Sequence, residues 1–465
     1  MSSSPASARP VPLPAWLTLM MGLVFGLIFV KFGNPVIFEQ QVTPPASLAE
    51  AIFFSWPPSW GIWFLVALAL AGLPFIRFSR PASPLALISL AVWFLWQFVS
   101  ATQSVSGKLT EPTLIQFSGC VLSLLLGWLV LARSQNSGWL WAGLTAGLAF
   151  SLWMAWDQHF GGLEATRKAF LSMDVSTMSP EMQAQFADPT FQKKITSTRV
   201  FGTFVYPNAL AGGILLLLPA ALAWIRTVTS GMRPLIGWIS MAALLGVCGA
   251  CLYWSGSKSG WLIALVAGGL LFSKVNWPTR RKLVVLGAVG LLGIAAFFIR
   301  YSGYFQKGAT SVEARFDYWR AAVQTANRNP FTGSGPGTFQ IPYRQIKATE
   351  SEMARLAHND YLQQASDSGW LGGLAFTSGL ATAAFALYRK LRKSGSWMQW
   401  SAFVGWLALS LQAFSEFPLY IPALAWPAFL VLGWLLSVHQ ETDPETVSPP
   451  DSNLGIRFDK APHAS

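Results

Sequence analysis

Charge is scarce in this chain. Only 11% of its residues are Asp, Glu, Lys or Arg, against 53% hydrophobic residues, and that balance excludes an ordinary soluble domain. Histidine and cysteine are scarce as well, at four and three residues. Cys120, Cys248 and Cys251 all fall in apolar segments. Cys248-Gly-Ala-Cys251 has the spacing of a redox or zinc motif, but such motifs need solvent access or further ligands, so these thiols read as small packing residues. No metal site is expected. Near the large polar loops the only histidine besides His358 is His159, and no carboxylates have ligand-like spacing.

What the chain has is apolar length. Windows long enough to cross a bilayer as helices recur near 14–31, 60–78, 84–102, 113–132, 139–156, 203–225, 235–254, 258–274, 282–300, 369–388, 398–414 and 418–437. The expected fold class is an all-α polytopic membrane protein of about 12 transmembrane helices. Residues 14–438 form the membrane domain, 1–13 read as a disordered N-terminus, and 439–465, rich in Pro, Asp and Glu, as a disordered tail. The first apolar segment lacks a small-residue cleavage site after Val30 and does not read as a signal peptide.

The net charge of +12 is placed asymmetrically. Arg77 and Arg80, Arg133, Arg226 and Arg233, Lys274 to Lys282, and Arg389 to Lys393 occupy connections on one side, without Asp or Glu. The positive-inside rule makes that side, and both termini, cytoplasmic. Dispersed in short turns, these charges suit membrane lipids, and no nucleic acid is expected as a partner. Two long polar loops, 157–198 and 301–368, then face the other side, where loops held by a bundle carry function.

The second loop has internal pattern. Glu313–Asn327 reads as a helix with Phe316, Trp319 and Val323 on its apolar face, and Arg315 beside Trp319. Asn329-Pro330 ends it. Phe331–Phe339, with Gly333, Gly335 and Gly337, lacks the strand and the Lys-Ser/Thr ending of a nucleotide loop and reads as a structural turn. A second amphipathic helix is expected over 350–366, with His358, Tyr361 and Leu362 on its inner face. Each charged candidate has a bland alternative: Arg199 snorkelling at the membrane surface, Arg315 paired with Glu313 or Asp317, His358 bonded to a backbone carbonyl.

Taken in order, Arg199-x-x-Gly202 with Tyr206-Pro-Asn208-Ala-Leu-Ala211, Arg315-x-x-x-Trp319, Asn329-Pro-x-x-Gly333-x-Gly335 with Phe339, and His358-Asn359-x-Tyr361-Leu362 followed by Gly369 and Gly372 resemble the O-antigen ligase and O-antigen polymerase superfamily of bacterial inner-membrane glycosyltransferases. The likeness covers residues 199–380, and it departs at Asp367, where glutamate is expected. The resemblance implies a GT-C-like helical fold. It implies an active site facing the periplasm of the inner membrane, and transfer of a glycan from a polyprenyl pyrophosphate carrier to an acceptor hydroxyl. The acceptor would be a glycan, the lipid A-core or a protein. By the same resemblance, His358 is the catalytic base and Arg199 and Arg315 hold the pyrophosphate, supported by Asn208, Trp319, Asn359 and Tyr361. The donor is already activated, so no cofactor is implied. A polymerase and a protein O-oligosaccharyltransferase share these motifs. A lipid or polysaccharide transporter is the alternative of another class. It would carry broken helices and ionisable groups at mid-membrane.

Overall fold

In the computed structural model the described residues are 13–131, 137–172, 183, 196–306, 310–349 and 351–437. Residues 1–12, Arg133, most of the loop 157–198 and the tail 439–465 lie outside them. Among the described residues the chain is helical and contains no strand.

A helix occupies every window expected to span. Among the described residues eight helices are long and apolar enough to cross a membrane, and three shorter apolar ones, Ala15–Lys31, Lys258–Ser273 and Pro422–Ser437, accompany them. Helices suit lipid because each backbone N–H finds its acceptor within the segment. Pro58, Pro84, Pro207, Pro234 and Pro422 each begin a helix, where a missing N–H costs nothing.

Packing is layered around one element. Every residue of Pro422–Ser437 is buried, as expected of a helix that is apolar on all sides. Thr279–Gln306 lies at the opposite extreme, with Leu283, Leu291, Leu292 and Ile299 exposed along it. Where lipid is as apolar as leucine, helices gain by approaching closely through small residues. Ala15–Lys31 meets Gly138–Asp157 in this way. A Cβ on Gly143 would stand 2.0 Å from the carbonyl oxygen of Gly22, so both positions require glycine.

Two local expectations are corrected. The helix expected over 350–366 begins only at Asp360. Asn359 is its N-cap, with Oδ1 accepting from Leu362 N at 3.1 Å. His358 therefore precedes the helix rather than sharing a face with Tyr361. The same helix breaks at Ser368 and Gly369 before running on to Ser394. In the loop helix Thr310–Arg328, Phe316 is exposed, and the buried stripe is Tyr318, Ala321, Ala322, Thr325 and Ala326. Tyr318 and the small residues, not Phe316, face inward there, packed against Phe339, Tyr343 and Ala357.

The glycine stretch is a structural turn. Gly333, Gly335 and Gly337 all have positive φ. Gly335 N donates to Asp367 O at 2.8 Å, and Gly337 N to Asp367 Oδ2 at 2.8 Å. The turn is thus clamped onto the broken helix just behind His358.

Candidate functional site

The site forms where several helix ends converge. Pro207 starts one helix and places Asn208 in its first turn. Ser255 closes another. Gln412 ends a third, and the short connection from there to Pro422 carries Glu416. By chain alternation, the loops bearing Arg226, Arg233 and Lys274 lie at the far end of the same bundle.

Glu416 is the hub. Its side chain is only 7% exposed. Oε1 accepts from Arg315 Nη2 at 2.5 Å and from Asn208 Nδ2 at 2.6 Å, and Oε2 lies 3.2 Å from His358 Nδ1. Asn208 Oδ1 accepts from Arg199 Nη2 at 2.8 Å, so the amide relays one arginine to the carboxylate. Asn208 is itself held by Gln412, whose Nε2 donates to its carbonyl at 2.8 Å. Arg199 Nε also donates to Ser255 O at 2.6 Å, at a helix C-terminus whose dipole favours a cation.

These contacts set the protonation states. Burial alone would push Glu416 up. The hydrogen bond and charge of His358, with the charges of Arg315 and Arg199, outweigh it and hold the carboxyl below its usual value. For Arg199, burial pulls the pKa down and Glu416 opposes it, while a guanidinium remains charged. The guanidinium charges of Arg199 and Arg315 against the one carboxylate leave these three groups with one positive charge in excess.

His358 is held in an unusual conformation. Its φ of +49° is the only positive value at a non-glycine among the described residues, and such backbone is uncommon and costly outside glycine. Gln363 Oε1 accepts from Ala357 N at 2.6 Å on one side, and Asn359 caps the helix on the other. Phe417 packs edge-on against the imidazole at 4.8 Å between ring centres.

Arg199, Asn208, Arg315 and His358 are thus gathered on one carboxylate. Arg315 pairs with neither Asp317 nor Glu313; Asp317 lies 3.5 Å from Arg320 instead. Trp319 Nε1 and Arg315 Nε are both buried without hydrogen-bond partners. Asn359 acts as the cap. Tyr361 turns away from the cluster, its hydroxyl donating to Ser410 O at 2.9 Å and its ring against Phe414. His159, the other histidine considered, stacks on Trp254 at 3.9 Å.

Sequence reasoning missed Glu416 as a functional residue; it falls between the apolar windows 398–414 and 418–437. One signal was available. Glu416 is the only Asp, Glu, Lys or Arg between Lys393 and Glu441, and an ionisable group so isolated in a membrane segment is expensive unless it is used.

Behind the cluster lies a second buried polar layer. Asp367 accepts from Gln363 at 3.0 Å, from Tyr420 Oη at 2.7 Å and from the glycine turn. Asp360 Oδ2 accepts from Leu419 N at 2.9 Å. The aspartate that departs from the expected glutamate therefore ties the turn, the broken helix and the Glu416 connection together.

The O-antigen ligase family matches residues 241–377 of this chain. The match includes Ser255, Arg315, Trp319 and His358, and stops short of Glu416. An uncharacterised protein of Haemophilus influenzae is 26% identical over 160 residues, covering 30% of this chain and 40% of the relative. The matched part therefore spans less than half the length of that protein.

Proposed function

We propose that this member of the O-antigen ligase superfamily moves a glycan from a polyprenyl pyrophosphate carrier to an acceptor hydroxyl, on the periplasmic side of the bacterial inner membrane. The observation that carries the proposal is the gathering of Arg315, of Arg199 through Asn208, and of His358 on the one buried carboxylate of Glu416.

The residues fit the steps. Glu416 is held below its usual pKa, so it is an ionised, acceptor-only group. The proton between it and His358 then belongs to Nδ1, and Nε2 carries the free lone pair. Nε2 takes the proton of the acceptor hydroxyl as its oxygen bonds to the anomeric carbon. The bond from that carbon to the pyrophosphate oxygen breaks, and the electron pair leaves with the carrier. A single displacement of this kind inverts the anomeric configuration. Charge grows on the leaving phosphate, where the excess positive charge of the arginine pair opposes it. A guanidinium can hold phosphate through two parallel hydrogen bonds, and preorganised donors of this kind lower barriers by about 3 kcal/mol each.

Reconstitution tests the proposal. The purified chain in liposomes, given a lipid-pyrophosphate glycan and glycan, lipid A-core or protein acceptors, should yield an acceptor heavier by the transferred glycan in mass spectra. Consumption of the donor with no acceptor gaining mass would refute transfer.

A further inference from the structure

A cavity of about 300 Å³ opens among the early helices, lined by residues that the proposed transfer step leaves unused. Its walls come from the short helix Val36–Gln41, the start of the helix beginning at Pro58, and the first turns of the helix Gly107–Leu125. From these cavity walls and their hydrogen bonds, we infer that it is a binding subsite for a neutral, hydroxyl-rich sugar residue of the glycan. The inference rests on the transferase reading and deepens it.

The lining has the right chemistry. Ile115 and Pro112 supply apolar surface for the C–H faces of a pyranose. Glu39, Lys108, Glu111 and Gln116 supply acceptors and donors for its hydroxyls. A largely apolar pocket with a few placed polar groups, at this volume, is the lower end of the size range for small-ligand sites. Two carboxylates against one ammonium leave the lining with one excess negative charge. That repels pyrophosphate, so the cavity complements the positively charged cluster rather than duplicating it.

The site is built, not incidental. Gln116 is fully buried. Its Nε2 donates to Leu419 O at 2.8 Å, while its Oε1, also buried, has no hydrogen-bond partner. A buried acceptor left unpaired costs about 1–3 kcal/mol, and Gln116 borders the cavity. Trp426 is fixed by donating from Nε1 to Gln116 O at 3.1 Å and by filling the gap left by Gly61 and Gly119. Glu39 is oriented by Ser59 N at 3.1 Å. Lys108 and Glu111 are exposed and free of ion pairs among the described residues.

Two links join cavity and cluster. Gln116 holds Leu419, in the connection that carries Glu416. Phe38, between cavity residues Val36 and Glu39, packs on Tyr206, which packs on Phe417 against His358. A sugar bound there is separated from His358 by the rings of Phe38, Tyr206 and Phe417, the place of a residue of the donor or acceptor glycan outside the bond being made.

Saturation-transfer NMR on the purified full chain, with hexoses and N-acetylhexosamines as probes, tests binding without turnover. At least one sugar should show transfer, weakened tenfold or more in Glu111→Gln combined with Lys108→Ala, and abolished in Ser59→Trp, which fills the cavity. Arg315→Lys should leave it unchanged. In the transfer assay, Glu111→Gln should raise KM by about tenfold with kcat kept. A rise for the lipid-linked donor assigns the subsite to the donor glycan, and a rise for the acceptor assigns it to the acceptor. No sugar signal with the wild type, or a signal that survives Ser59→Trp, overturns the inference. Absence of glycan transfer alongside sugar binding that follows these variants would instead overturn the transferase reading alone.

Discussion

His358 Nδ1 faces Glu416 Oε2 at 3.2 Å, across the gap between the broken helix and the connection to the last helix. The carboxylate also holds Arg315, so one buried charge orients both the proposed base and the proposed clamp. Glu416→Gln keeps the shape but loses the charge and can present an amide N–H to the imidazole, turning its lone pair inward. Transfer should fall by about 10²-fold or more, the scale of lost general-base catalysis. Glu416→Asp should retain more activity than Glu416→Gln in the reconstituted assay. Equal rates for Glu416→Gln and wild type would show that the carboxylate serves packing only.

His358 should be required for turnover and not for donor binding. His358→Ala should lose transfer by about 10²-fold or more, with lipid-linked donor still retained in a pull-down. His358→Gln keeps hydrogen bonding but accepts no proton near neutral pH, so it should be nearly as inactive. A fully active His358→Gln would move proton removal to another group or to water.

The two arginines should not tolerate lysine. Lysine keeps the charge but lacks the planar fork that reaches Glu416 or Asn208 and phosphate together. Arg315→Lys and Arg199→Lys should each weaken donor binding while the protein inserts normally. Arg199→Lys also gives up a donor to the helix end at Ser255, so its thermal stability should fall as well. Full activity of Arg315→Lys would mark that residue as a structural counter-ion.

Stability should depend on Glu416 in acid. Its carboxyl is held below the ordinary value of 4.5 in the folded chain. The unfolded state therefore binds the proton first as pH falls, and the folded state loses this contribution as pH drops through the depressed value. The contribution is complete above about pH 4.5, taken as the unfolded value. The Tm of the wild type in detergent should drop more steeply than that of Glu416→Gln below that pH. Parallel curves would show that the carboxylate carries no such linkage.

Orientation is testable by fusion. A reporter active only in the periplasm should be active when fused at Gln345, in the loop carrying the cluster, and silent at Ser394, beside Arg392 and Lys393. The reverse pattern would place the cluster on the cytoplasmic side and remove its access to a periplasmic acceptor.

The sequence by itself determined the helical bundle. Bilayer-length apolar windows have one solution in lipid, because every backbone group must be satisfied within the segment, and each window is a helix. Sequence order also named Arg199, Arg315 and His358, since guanidinium and imidazole chemistry can be read from residue type and local motif. Only the tertiary structure decided how they meet. Glu416 lies 58 positions after His358 along the chain, with no local pattern linking the two, and a lone acid looks the same in sequence whether it is solvated or a hub. The conformation of His358 was hidden for a similar reason. Amphipathic spacing argued for a helix through it, but Gln363 and the Asn359 cap, acting with the packing of Phe417, hold it outside the helix. The early helices read only as a generic bundle, yet they supply Glu39, Glu111 and Gln116 to a cavity, and Gln116 also holds the connection that carries Glu416. Their contribution depends on which helix ends converge, and long-range packing sets that.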